Sequence, residues 1–83
     1  MTDIAKLEIS PSADEGFEAF VRVHWNYKDF NITSRKRNDR LKRRFNQLKI
    51  LKDTLMQHDD IMQETYIFFK HKQDAVDLYF RGV

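Results

Sequence analysis

Apolar and polar positions alternate at the start of the chain. Ala5, Leu7 and Ile9 are separated by Lys6 and Glu8. That two-residue period predicts a strand over Asp3–Ile9, with one side toward a core and the other toward water. Ser10 to Gly16 is dense in turn formers and predicts a loop. Phe17 to Tyr27 repeats the alternation. Phe17, Ala19, Val21, Val23, Trp25 and Tyr27 fall on one face; Glu18, Arg22, His24 and Asn26 fall on the other, with Phe20 the exception. The short loop between the two segments predicts an antiparallel hairpin.

After a connector at Lys28–Thr33, with some extended character at Phe30 and Ile32, the period lengthens. Thr33 or Ser34 can cap a helix whose apolar stripe is Leu41, Phe45, Leu48, Leu51 and Leu55. That stripe predicts a helix to about Gln57, a rod of roughly 35 Å, ended by His58-Asp59-Asp60. Met62–Lys70 is rich in β-formers and predicts a third strand. Gln73–Phe80 predicts a short helix with Ala75, Val76, Tyr79 and Phe80 on one stripe. Asp74 lies in its first turn, and Arg81 and Gly82 lie at its end. The order is β-β-α-β-α, a single α+β domain over residues 1–83. The expected fold is a two-layer sandwich: a three-stranded sheet with the long helix and the short C-terminal helix on one face. Strand 2, the long helix and strand 3 would form a right-handed crossover. The other sheet face would carry Arg22, His24 and Asn26, joined by Tyr66 and Phe68 if the register allows.

Composition removes whole classes of chemistry. The chain has no cysteine, which excludes disulfides, thiolate catalysis and Cys-ligated zinc. Gly16 and Gly82 are the only glycines and Pro11 the only proline. A phosphate-cradling loop, a dinucleotide fingerprint and a nucleophile elbow all need more glycine than this. No apolar run is long enough to span a bilayer, and Met1-Thr2-Asp3 lacks the basic-then-apolar pattern of a signal peptide. A cytoplasmic protein is expected.

The net charge of +2 conceals a segregation. Lys28 to Lys52 holds ten basic residues against two acidic ones, a local balance of +8, while the rest has five basic against eleven acidic, a balance of −6. A polyanion would meet a strongly positive segment on a mildly acidic body. With the apolar stripe toward the sheet, Lys36, Arg40, Arg43 and Gln47 project outward, flanked by Lys42 and Asn46. Arg35 and Arg37, in the first turn, are expected to point off the helix end. The candidate nucleic-acid-binding residues are therefore Arg35, Lys36, Arg37, Arg40, Lys42, Arg43, Arg44 and Gln47, with Asn38 and Asn46 as further polar contacts. Arginine presents a planar fork that matches a phosphate. A purely solvated helix face is the simpler alternative, because long charged residues are good helix formers. Against it, cations near a helix N-terminus oppose the helix dipole, by about 0.3–1 kcal/mol per charge. Departures from such a local rule are expected at functional surfaces.

Three other patterns carry less. Gly16-Phe17-Glu18-Ala19-Phe20-Val21 resembles the aromatic signature of RNA-recognition motifs, but Glu18 is an extra residue. It is expected to send Phe17 and Phe20 to opposite faces, whereas base stacking needs both on one face. His58-Asp59-Asp60 reads as a helix end and turn rather than a metal site. His24 beside Arg22 has no second acid–base group tied to it by spacing. A non-enzymatic protein with no metal and no cofactor is expected, with RNA or another polyanion as partner. RNA is preferred to DNA because no base-reading set at a DNA-motif spacing is evident. The competing expectation is an adaptor or inhibitor that docks the basic helix on an acidic patch of a host enzyme. A third is a ribonuclease using His24. A sheet with one uncovered face in so short a chain also invites homodimerisation.

Glu64-Thr65-Tyr66-Ile67-Phe68-Phe69-Lys70-His71-Lys72-Gln73-Asp74-Ala75-Val76-Asp77-Leu78-Tyr79-Phe80, about a fifth of the chain, resembles the ending of small accessory proteins of T4-type bacteriophages. There, a strand leads through a polar turn into an Asp-Ala-Val helix. The resemblance implies a phage origin and a host-cytoplasm location. It admits the TifA-like group, RNA-binding antagonists of host toxin–antitoxin defence. It assigns no site residue.

Overall fold

The computed structural model describes residues 3–49 and 53–83. Strands β1 (Ala5–Pro11) and β2 (Ala19–Trp25) are followed by the one-turn helix α1 (Tyr27–Phe30) and the longer α2 (Ser34–Leu48). Strands β3 (Thr54–Asp59) and β4 (Glu64–Phe69) and helix α3 (Lys72–Arg81) complete the chain. The fold is α+β, and its sheet has four strands rather than three, in the order β1-β2-β4-β3 with every neighbouring pair antiparallel. β2 and β3 therefore run in the same direction with β4 between them.

The fourth strand comes out of the stretch expected to be helix. α2 stops at Leu48, and Lys49 takes the left-handed conformation (φ 54°), its N–H bonded to the carbonyls of Asn46 and Phe45. Leu51 lies outside the described residues, and Leu55 sits on β3. Leu55 does repeat the helical spacing, but Thr54–Asp59 also has a strand's alternation. Thr54, Met56 and His58 oppose Phe69, Ile67 and Thr65 on β4, while Leu55, Gln57 and Asp59 oppose Phe68, Tyr66 and Glu64. A short apolar run supports either period, and pairing with β4 decides. The turn between them is closed by Asp59, whose Oδ1 accepts the N–H groups of Ile61 and Met62 at 3.0 and 3.2 Å. His58-Asp59-Asp60 thus ends a strand, not a helix.

The second strand is shorter than its alternation predicts. It begins at Ala19, and Phe17 lies against Phe68, with ring centroids 5.8 Å apart. Tyr27 belongs to α1, capped by Asn26, whose Oδ1 accepts from the Asp29 N–H. Asn26 is thus a cap rather than a sheet-face residue. α2 is capped by Thr33, whose Oγ1 accepts from the Lys36 N–H at 3.2 Å.

One sheet face is the core. Ala19, Val21, Val23 and Trp25 of β2 and Ile67 and Phe69 of β4 are buried against Leu41 of α2 and Ala75 and Leu78 of α3. Burying each of the larger side chains is worth about 1.5–3 kcal/mol. α3 seals this layer through Ala75 and Leu78 alone. Tyr79 and Phe80, expected on its buried stripe, are exposed. The buried Trp25 Nε1 donates to Thr65 Oγ1 at 2.8 Å, and His58 Nδ1 meets the same hydroxyl at 2.8 Å. These contacts pair the Trp25 indole and the Thr65 hydroxyl, which are buried with the core.

Candidate polyanion-binding face

α2 lies over the β4–β3 side of the core, with the Phe45 ring 6.3 Å from Phe69. α3 packs on β1, β2 and β4 and touches α2. Leu41 and the part-buried Phe45 and Leu48 fix the rotation of α2. At about 100° per residue this turns Lys36, Arg40, Arg43 and Gln47 to the outside, and all four are exposed. Arg35 and Lys42 are exposed on the opposite flank from Arg44, with Asn38 and Asn46.

Arg37 does not point off the helix end. It is buried, 8% exposed. The reason is its spacing: four residues before Leu41, it continues the same stripe. There its charge acts on His58, the β3 residue held by Thr65. Burial pushes the His58 imidazole below its ordinary value, and the Arg37 cation adds to the effect against the weaker pull of Asp60 and Asp59. Arg37 thus belongs to the inner layer rather than to the exposed row of cations.

Arg44 is the centre of what remains. It is part-buried on the flank that faces α3, and one of its guanidinium nitrogens donates to Gln47 Oε1 at 2.6 Å. Gln47 therefore orients an arginine rather than standing free. Burial lowers the Arg44 guanidinium from its ordinary value, and Arg81, Arg40 and Arg43 lower it further. No carboxylate appears among the groups acting on it. Arg40 is tied in by a bond from its guanidinium to the Val83 carbonyl at 3.2 Å. Among the described residues, no aspartate or glutamate side chain lies within ion-pair distance of any cation of α2 or of Arg81. Arg43, Arg44 and Arg81 thus share one flank with no aspartate or glutamate partner among the described residues, and Arg40 beside them is held by the Val83 backbone oxygen.

Arg81 is the member that sequence reasoning missed. Its place in the last turn of α3 accounts for it as a helix-end cation. Only the packing of α3 against α2 brings it to Arg44, and no local spacing encodes that.

The opposite sheet face is built differently. Its cross-strand rows are Ser10–Phe20–Phe68–Leu55, Glu8–Arg22–Tyr66–Gln57 and Lys6–His24–Glu64–Asp59. Phe20 packs on Phe68 and Tyr66, at 5.5 and 6.3 Å, and Phe17 joins them through Phe68. The expectation that Glu18 would part Phe17 from Phe20 fails, because the chain bends before β2 and brings both rings to this face. Arg22 is paired with Glu8 and, at 3.3 Å, with Glu64. His24 lies 3.8 Å from Glu64, beyond hydrogen-bond reach. The aromatic cluster therefore stands beside cations that are already neutralised.

His58 Nε2 lies 3.2 Å from Asp60, while Asp59 is engaged by the turn. Among the described residues no group of three or more His, Cys, Asp or Glu side chains gathers as a metal site. No helix among them is long and apolar enough to cross a membrane. Compared with known proteins, the chain matches no family model, no curated protein and no solved structure.

Proposed function

We propose that this chain is a small non-enzymatic RNA-binding protein that grips phosphates along α2 and the end of α3. The observation that carries the reading is the Arg40–Arg43–Arg44–Arg81 group, four guanidinium groups on one flank with no aspartate or glutamate partner among the described residues. Arginines held together without counter-ions are costly unless an anion arrives, and a phosphate accepts two parallel bonds from each fork. Lys36 and Arg35 extend the positive surface toward the N-terminus of α2.

The outward side chains of α2 are phosphate partners. Of the exposed amides on α2, Gln47 is occupied by Arg44, which leaves Asn38 and Asn46 as the free polar contacts among the described residues. Binding should accordingly follow backbone shape with little sequence preference. RNA is preferred because a helix laid flat on its sheet, with cations rather than base-reading groups outward, is suited to folded RNA more than to a DNA major groove. The likeness of β4 and α3 to phage accessory proteins fits an antagonist of a host RNA-dependent defence.

Fluorescence anisotropy with a short RNA and a matched DNA duplex at several salt concentrations tests this. With about six phosphates neutralised, log affinity should fall against log salt with a slope of roughly −4 to −5. The triple variant Arg40→Glu/Arg43→Glu/Arg44→Glu should lose binding. Salt-independent affinity would exclude phosphate contact. A lysate partner retained after nuclease treatment, with no RNA affinity, would mean that the helix docks on an acidic protein instead.

A further inference from the structure

The two edges of the sheet are protected unequally. β1 alternates Lys6 and Glu8 along its length and ends in Pro11, features that discourage a further strand. β3 has neither a charged residue nor a proline from Thr54 to Gln57. Four of the seven large apolar side chains exposed among the described residues lie on it or in the turn that follows. Leu55 is 42% exposed and Met56 41%, although they point to opposite faces; Ile61 and Met62, in the turn that follows, are 91% and 55% exposed. An edge strand with unpaired backbone groups and apolar side chains open on both faces is a template for another strand.

We propose that β3 pairs antiparallel with β3 of a second copy of this chain, which joins two four-stranded sheets into one of eight. Two identical strands pair antiparallel only about a two-fold axis perpendicular to the sheet, so each residue opposes one on its own face. The three consecutive exposed positions of β3, Leu55, Met56 and Gln57, are the candidate centres. Centring on Met56 sets Asp59 opposite Asp53 of the second copy at both ends, which like charges disfavour. Centring on Gln57 sets Asp59 against Leu55. Centring on Leu55 places Leu55 on Leu55 and Met56 beside Thr54, and leaves Asp59 outside the paired stretch. It also continues the apolar row Phe20–Phe68–Leu55 into its own mirror sequence. This register is the one assigned. It explains why a self-copy fits: from Thr54 to Gln57 the edge offers no charge for a different partner to recognise, whereas its apolar row is completed by itself.

The axis keeps both helix layers on one side of the joined sheet. Because α2 sits toward the β3–β4 side, the two α2 helices become neighbours, and two sets of unpaired arginines share one surface. The dimer does not depend on the RNA reading, and it is measured on nuclease-treated protein.

The chain has no cysteine, so single-cysteine variants report the register directly. Opposed residues of an antiparallel pair have Cα atoms about 4.5–5.5 Å apart, within disulfide reach. Leu55→Cys should oxidise to a covalent dimer as the main product, and Gln57→Cys should not. In sedimentation velocity the wild-type chain should dimerise with concentration, and Leu55→Lys should weaken that association more than tenfold while its circular dichroism is unchanged. A wild-type chain that stays monomeric at millimolar concentration, with no cross-linking of Leu55→Cys, would overturn the proposal. So would a dimer that survives Leu55→Lys and cross-links through Phe20→Cys, because it would be joined face to face.

Discussion

Arg22 and Arg44 are the same residue type placed in opposite circumstances. Arg22 lies on the outer sheet face, where Glu8 acts first and Glu64 second to raise its guanidinium above the ordinary value. Arg44 lies between α2 and α3, where burial and then three neighbouring arginines lower it. The first is a cation whose field is already spent on carboxylates of its own sheet. The second adds to the field of Arg81, Arg40 and Arg43, with no aspartate or glutamate in ion-pair reach among the described residues. A count of basic residues treats them alike. Only their neighbours show that Arg44 stands among other cations while Arg22 is already paired with carboxylates.

The largest effect expected from this contrast is on binding. Reversing Arg40, Arg43 and Arg44 to glutamate should weaken RNA at least about a hundredfold at low salt and flatten the salt slope. Arg22→Glu, measured by the same anisotropy titration, should leave affinity within about twofold, as expected of a paired surface charge. Equal losses from the two would collapse the distinction.

Next is a dependence of stability on pH that comes from the inner layer. The His58 imidazole is held below its ordinary value by burial first and by Arg37 second. Folding therefore favours neutral His58. Above pH 6.5 it is neutral in both folded and unfolded chains, and its full contribution is present. Below that pH the unfolded chain takes up the proton first, so stability falls as acid is added, until folded His58 is protonated too. One such group changes stability by at most about 1.4 kcal/mol per pH unit. Urea melts from pH 7.5 to 5 should show this fall, and His58→Gln should remove its share of it.

Arg37 supplies a third circumstance: a cation that is buried and has no carboxylate within ion-pair distance among the described residues. Replacing a buried charge by an apolar side chain of similar volume is often neutral or stabilising. Arg37→Met should therefore hold or raise stability by about 1 kcal/mol. It should also make the acid loss of His58 shallower, because one cause of that loss is removed. RNA affinity should stay within about twofold, in contrast to its neighbours on α2. A large loss of binding would return Arg37 to the phosphate set.

How much of this the sequence discloses follows from range. β1, β2, β4 and α3 are legible because alternation and helical spacing are local. Lys36, Arg40 and Arg43 are legible as an outward row once Leu41 and Leu48 fix the stripe. The burial of Arg37 was legible too, since it stands four residues before Leu41, but its charge argued for a solvent position. β3 was hidden because Leu55 satisfies two periods at once. Arg81 and the grouping of Phe17 with Phe20 and Phe68 depend on contacts between segments far apart in the chain, which no local pattern carries.

The smallest effect sharpens the comparison by trying to convert one surface into the other. Glu8 is exposed on the edge strand, and its carboxylate is the first cause of the raised Arg22 guanidinium. Glu8→Lys removes that partner and adds a cation to the row that holds Tyr66, with Phe20 and Phe68 in the adjacent row. Glu64 still holds Arg22, so neutralisation is only partly undone. If spent charge is what silences the sheet face, single-stranded RNA should bind the variant about two- to threefold more tightly, with a salt slope steeper by about one. The gain should persist in the background of the triple glutamate variant, because it arises on the opposite side of the sheet. Unchanged affinity would mean that the aromatic face is closed to RNA for reasons of shape, and the contrast between Arg22 and Arg44 would then rest on geometry rather than on charge.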